Sequence, residues 1–247
     1  MRPLLEAQDL HIRFGGVVAA AGISLQVYPG EVLAIIGPNG AGKTTFLNLC
    51  TGYLKPERGR VLLEGREITG LPPRVITRLG VARAFQIPQL FTEHTVEENL
   101  LLALAAREGF WRWTTLREER RRHEAKGFLV LLGLEGLAST PVAEAPEGVR
   151  KLLDVAMALA LKPRLLLLDE PTSGVSAEEK LSVMDTLVRA LKAQEVTAVF
   201  VEHDMEVVRR YADRVAVWTE GRIMAEGKPE EVLQDPQVLA SVVGVEE

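Results

Sequence analysis

Residues 31–45 read Glu31-Val-Leu-Ala-Ile-Ile36-Gly37-Pro38-Asn39-Gly40-Ala41-Gly42-Lys43-Thr44-Thr45, and this run decides the fold. After Glu31 the next five residues are apolar and rich in β-branched side chains, the mark of a strand buried on both faces. Gly37 and Pro38 stop it. From Lys43 to Thr51, Phe46, Leu47 and Cys50 recur at helical spacing, and Gly52 ends the element. Strand, glycine-rich turn, helix is the opening unit of an α/β fold. The turn matches G-x-x-x-x-G-K-[ST] in full, the pattern of a phosphate-binding loop. Glycines let successive backbone N–H groups turn inward around phosphate oxygens, and the following helix aims its positive end at the same anion. Lys43 supplies a mobile cation for β- and γ-phosphates, and the Thr44 hydroxyl is a hard oxygen ligand for Mg²⁺.

Working outward, Leu165–Leu168 and Thr197–Val201 read as further buried strands. Between them Ala177–Gln194 carries Leu181, Met184, Leu187, Val188 and Leu191 at helical intervals. Alternating strands and helices predict a largely parallel sheet. Residues 4–30 and 58–68, with short alternating runs and turn signals, predict an antiparallel layer against it. Residues 88–162 lack strand signals and read as helical. Within them Arg117–Lys126 is nearly all charged and reads as a solvated helix face. Phe110, Trp111 and Trp113 form an aromatic cluster that reads as core, with a docking patch as the alternative.

The Leu165 run ends in Asp169-Glu170-Pro171. A carboxylate pair at the end of an apolar strand suits a second phosphate-site motif, with Asp169 holding Mg²⁺ through its water shell and Glu170 polarising the attacking water. Three single residues are weaker signals: Gln86 as a contact to Mg²⁺ or water, His203 as a γ-phosphate partner, and Phe14 as a ring for adenine. Alone, each reads more readily as surface filler, a structural histidine and core.

Composition bounds the function. The chain has 247 residues, 47% of them apolar, enough for one sizeable core. Lys and Arg number 29 against 34 Asp and Glu, a net −5 that argues against a nucleic-acid binder. The single cysteine, Cys50, allows no intrachain disulfide and fits a reducing compartment. Glu6 and Asp9 stand where a signal peptide needs apolar residues, and the longest charge-free stretch, 14–30, holds Gly, Ser, Gln and Pro. The expected location is cytoplasmic.

The order of loop, Gln86, Asp169-Glu170 and His203 resembles the ATP-binding subunits of ABC transporters over essentially the whole chain. The resemblance implies a P-loop NTPase fold of class α/β, with a mixed, mostly parallel sheet core, an antiparallel β layer and a helical subdomain. It is one nucleotide-binding domain over 1–247, with its core in 1–87 and 163–247 and its helical subdomain in 88–162. It implies ATP and Mg²⁺ as cofactors. Phe14 matches the adenine-stacking aromatic, residues 37–45 the Walker A loop and Gln86 the Q-loop glutamine. Leu165–Asp169 matches Walker B, Glu170 the catalytic glutamate and His203 the switch histidine. The catalytic set is thus Glu170, His203, Lys43 and Gln86, and the metal set Thr44, Gln86 and Asp169.

Ile12–Gly16, Ala84–Phe91, Thr95–Asn99, Val201–Met205, Gly221–Gly227 and Asp235–Val238 look like the ATPases of branched-chain amino acid importers, which related urea and amide importers share. That implies permease subunits on the inner membrane face, with a solute-binding protein acting indirectly. The family signature, usually Leu-Ser-Gly-Gly-Gln, reads here Ala145-Pro-Glu-Gly-Val149, before an expected helix at Arg150–Leu161. Pro146 has no N–H to offer and Glu147 sets a negative charge where a phosphate should approach. The turn after Walker B, usually Gly-Leu-Asp, reads Gly174-Val-Ser176. The expected partner is therefore a second, non-identical ATPase with an intact signature. The alternatives are a nucleotide-gated regulatory subunit with weak hydrolysis, or a relative acting on DNA or ribosomes. The latter usually carries two cassettes or a coiled-coil insertion, and this chain has one cassette and no such insertion. A GTPase is disfavoured, since no Asn-Lys-x-Asp motif occurs.

Overall fold

The computed structural model describes residues 1–108 and 115–243. In chain order these form β1 (Leu5–Phe14), β2 (Val17–Val27), β3 (Val32–Ile36), α1 (Lys43–Cys50), β4 (Arg58–Leu63), β5 (Arg66–Glu67), α2 (Pro73–Arg78), β6 (Val81–Ala84), α3 (Val96–Glu108), α4 (Thr115–Leu131), α5 (Glu147–Ala160), β7 (Leu165–Asp169), α6 (Ala177–Ala193), β8 (Thr197–Val201), α7 (Met205–Tyr211), β9 (Arg214–Thr219), β10 (Arg222–Gly227), α8 (Pro229–Val232) and α9 (Pro236–Val243). The cluster Phe110, Trp111 and Trp113 lies outside the described residues.

Two sheets form. One is six-stranded in the order β10-β9-β3-β8-β7-β6, parallel except for β10 at its edge. The other is four-stranded and antiparallel in the order β2-β1-β4-β5, as the turn-rich N-terminal stretches predict. The period of two along each central strand separates the packing layers. Leu33 and Ile35, Leu165 and Leu167, Val199 and Val201 pack with α1 and the antiparallel sheet. Ala34 and Ile36, Leu166 and Leu168, Ala198 and Phe200 pack with the helical side, among residues of α3 to α7. Every residue of β3, β7 and β8 is buried, so these strands show a continuous apolar run in place of alternation.

Three strands are less legible. β6 has only four residues and includes Arg83. β9 and β10 form a hairpin whose two connecting residues, Glu220 and Gly221, both have positive φ (48° and 73°), as a primed two-residue turn requires. The helix expected at Arg150 begins three residues earlier, at Glu147. Pro146 is extended (φ −57°, ψ 155°) and starts it, and Glu147 in the first turn faces the positive end of the helix dipole.

The charged stretch Arg117–Lys126 lies on α4 and is only partly a solvated face. Glu119, Arg120 and Arg122 are exposed. Arg121 is 4% exposed and reaches Glu108 at 3.2 Å, while Glu124 receives both terminal nitrogens of Arg107, at 2.8 and 2.7 Å. Those pairs lie beside Ala125, Phe128 and Leu129, which α4 turns inward.

Candidate functional site

The 37–42 loop leaves the C-terminal end of β3, where a central parallel strand delivers its ligand-facing turn. Two glycines are sterically required. A Cβ on Gly42 (φ 98°) would lie 2.0 Å from the Ala19 carbonyl oxygen, and one on Gly37 would lie 2.2 Å from the Trp218 carbonyl oxygen. The loop is therefore gripped between β2 of one sheet and β9 of the other. Gly42 caps α1 without any side-chain bond, so the first N–H groups of that helix stay available to an anion.

Lys43 is 6% exposed and its Nζ donates to the carbonyls of Gly37 (2.6 Å) and Pro38 (2.9 Å). Burial lowers its pKa, an effect opposed by the charges of Glu170 and Asp169. Thr44 Oγ1 donates to Asp169 Oδ1 across 3.4 Å. The other Asp169 oxygen receives Arg83 Nη2 at 2.6 Å, in a pair where both side chains are under one-tenth exposed. Arg83 also donates to Asn48 on α1 and lies over the Phe85 ring, 4.8 Å from its centroid.

Glu170 stands in the left-handed region (φ 48°) just past β7. Its Oε2 accepts Gln86 Nε2 at 2.7 Å, and its Oε1 lies 3.0 Å from His203 Nε2. Residues from the ends of β6, β7 and β8 thus converge on one carboxylate. Phe14 is no core residue: it is 48% exposed at the tip of the β1–β2 hairpin, paired with the exposed Val17.

The donor set fits Mg²⁺ and argues against a caged structural metal. Thr44 and Asp169 offer two hard oxygens side by side, which suits an ion that keeps waters and phosphate oxygens as its other ligands. Among the described residues no group of three His, Cys, Asp or Glu could hold a metal alone. Gln86 directs its amide nitrogen at Glu170, so it meets the carboxylate rather than Thr44 or Asp169.

Several residues of the site escape sequence reading. Lys151 and Asp154 lie one turn apart on the buried face of α5 and grip consecutive residues. Asp154 Oδ2 accepts the Phe85 N–H at 2.9 Å, and Lys151 Nζ donates to the Gln86 carbonyl and, at 3.4 Å, to that of Glu170. Arg83 and Glu202 also belong here. Their shared signal is a charge inside or directly after an apolar run, which demands a partner.

Burial raises the Asp154 carboxyl to about 6, against hydrogen bonds from Phe85 and Gln89 and the charge of Lys151. Between about pH 4 and pH 6 the folded chain keeps a proton that the unfolded chain has released. This group's contribution to stability therefore falls across that window and is flat above it. Asp154→Asn keeps the acceptor oxygen and removes the ionisation. The melting temperature of the variant, relative to wild type, should rise between pH 4 and pH 7; a pH-independent difference would contradict the assignment.

The segment matching the signature places Pro146 at the start of α5 and Glu147 in its first turn. The Glu147 carboxylate is 37% exposed, lies 3.8 Å from Arg150, and its stem leans over Gly174.

Comparison with known proteins bears on the family and the fold. Residues 20–173 match the family model described as ABC transporter. The high-affinity branched-chain amino acid transport ATP-binding protein BraF of Pseudomonas aeruginosa is 35% identical, over 98% of each chain. The ADP conformation of an ATP-binding cassette of an ABC transporter superposes with a TM-score of 0.86 at 32% identity, covering 99% of this chain and 100% of that one. A dimeric post-hydrolysis cassette bound to ADP and Pi gives 0.78 at 25% identity, covering 91% and 98%. The α/β fold built around residues 31–45, with its antiparallel layer and helical lobe, is that of an ATP-binding cassette, and the chain belongs to the ABC transporter family.

Proposed function

We propose that this chain binds Mg-ATP on the 37–45 loop and hydrolyses it to drive uptake of branched-chain amino acids or similar small solutes. The observation that carries the reading is the convergence of Gln86 and His203 on Glu170, beside a Thr44–Asp169 oxygen pair and a phosphate loop. Lys43 exchanges its loop carbonyls for β- and γ-phosphate oxygens, while the 37–42 backbone and the start of α1 hold the remaining charge. Thr44 and Asp169 would hold Mg²⁺, which would supply neutralisation of charge on the transferring phosphoryl group. Glu170 accepts a hydrogen bond from the attacking water, and His203 and Gln86 fix the orientation of that carboxylate. Phe14 stacks on the base.

The solute assignment follows relatives such as BraF. No helix among the described residues is long and apolar enough to cross a membrane, so a pump of this kind needs separate permease subunits. The helical lobe and residues 86–91, where Ile87 is 75% and Phe91 53% exposed, face those subunits at the cytoplasmic side of the membrane. A solute-binding protein acts indirectly, through the permease. The complete set of Glu170, His203 and Gln86 disfavours a purely regulatory subunit.

ATP clamps two cassettes together, and the partner is a second, non-identical ATPase whose intact signature faces this chain's phosphate loop. Calorimetric titration with ATP and Mg²⁺ should show one site per chain; no binding would end the functional reading. The purified chain alone should turn over slowly. Pro146→Ser with Glu147→Gly, restoring a hydroxyl and removing a repelling charge, should raise that rate about tenfold or more. Brisk hydrolysis by the unmodified chain, unimproved by the double change, would argue for a homodimer.

A further inference from the structure

Glu202 is a buried carboxylate, 3% exposed, just past β8. Among the described residues no ion pair reaches it, and the Lys151 ammonium influences it only through space. Taking a carboxylate out of water without a bonded cation is costly, and a set of converging donors must offset that cost. Three donors converge on it. Oε1 accepts the Thr172 backbone N–H at 3.0 Å and the Thr172 hydroxyl at 2.7 Å, and Oε2 accepts the His203 backbone N–H at 3.1 Å. Its own N–H donates to the Ile35 carbonyl at 3.2 Å, so its backbone is fixed to the central strand.

The donors belong to two different segments. Thr172 lies two residues after Glu170, in the turn that sets the conformation of that residue. His203 is the group whose ring meets Glu170 at 3.0 Å. One carboxylate thus ties the turn carrying the general base to the segment carrying its histidine, anchored on β3. A glutamine could not replace it, since in either amide orientation the NH₂ would face a backbone N–H.

We propose that Glu202 is a positioning residue for hydrolysis, whose carboxylate sets the spacing of Glu170 and His203. This rests on the reading of those two residues as the hydrolytic pair. Its removal disturbs chemistry and leaves nucleotide affinity alone, because the 37–45 loop makes no contact with it through these bonds.

The test measures turnover in the assembled transporter and ATP affinity by calorimetry, for Glu202→Gln, Thr172→Val and His203→Ala. Glu202→Gln should lower kcat roughly tenfold to a hundredfold, the scale of a small misplacement of reacting groups, with ATP affinity within about twofold. Thr172→Val, which deletes only the hydroxyl arm, should lower kcat by a smaller factor. In the His203→Ala background, Glu202→Gln should cost less than about threefold more, because its effect passes through His203. Unchanged turnover in Glu202→Gln, parallel losses of affinity and turnover, or full multiplication of the two effects would each overturn the inference. If Glu202→Gln does not fold, Thr172→Val decides, and unchanged turnover there overturns it. A wild-type complex without turnover would count against the functional reading itself, a result distinct from wild-type turnover that the Glu202 change leaves untouched.

Discussion

Glu170→Gln should lower ATP turnover by about three orders of magnitude, within the range that a positioned general base contributes. The amide keeps the size and one acceptor oxygen, so its contacts to Gln86 and His203 can be remade in part. What it loses is the negative charge that draws a proton from the attacking water. Nucleotide affinity should persist or rise, because removing a carboxylate beside the phosphate removes a repulsion. The variant should therefore accumulate an ATP-bound, associated form, visible as a shift in elution volume with ATP and Mg²⁺ that wild type shows only transiently. Retained turnover would remove Glu170 from its role.

Lys43→Ala should weaken ATP binding about a hundredfold, the scale of losing charge-assisted bonds to a phosphate. The nucleotide-free chain tolerates the change better than the loaded one. It forfeits the bonds from Nζ to the carbonyls of Gly37, which is buried, and Pro38, which is partly buried, but is also spared the burial of an ammonium whose pKa that burial lowers. Melting temperature without nucleotide should thus change little, while the stabilisation that ATP confers on wild type should largely vanish. A variant that melted far below wild type yet kept its affinity would assign Lys43 a structural part instead.

The fold was legible where a single force dominates. The run Thr197–Val201, apolar after its first residue, is buried throughout because both faces are covered, and its limits in the structure are those read from the chain. The glycine turn after β3 needed no tertiary knowledge, since its steric demands are local. Residues whose meaning comes from across the molecule were hidden. Arg83 sits in a four-residue strand, and nothing nearby in sequence announces that Asp169, 86 residues on, takes its charge. Lys151 and Glu202 are likewise ordinary polar letters until the chain closes over them. Arg121 and Glu124 read as solvent-facing because their partners, Glu108 and Arg107, come from another helix. The contact between Gln86 and Glu170 was hidden as well, since both the residue itself and the resemblance pointed Gln86 at Mg²⁺ or water.

The grip on the loop by Ala19 and Trp218 has a mechanical outcome. Each layer of the molecule lends one oxygen to the same short bend, so a guest seated there rivets the layers to each other. Deuterium uptake in the first hairpin should consequently slow when ATP arrives, even at positions whose side chains never meet it, and the two layers should melt as one body.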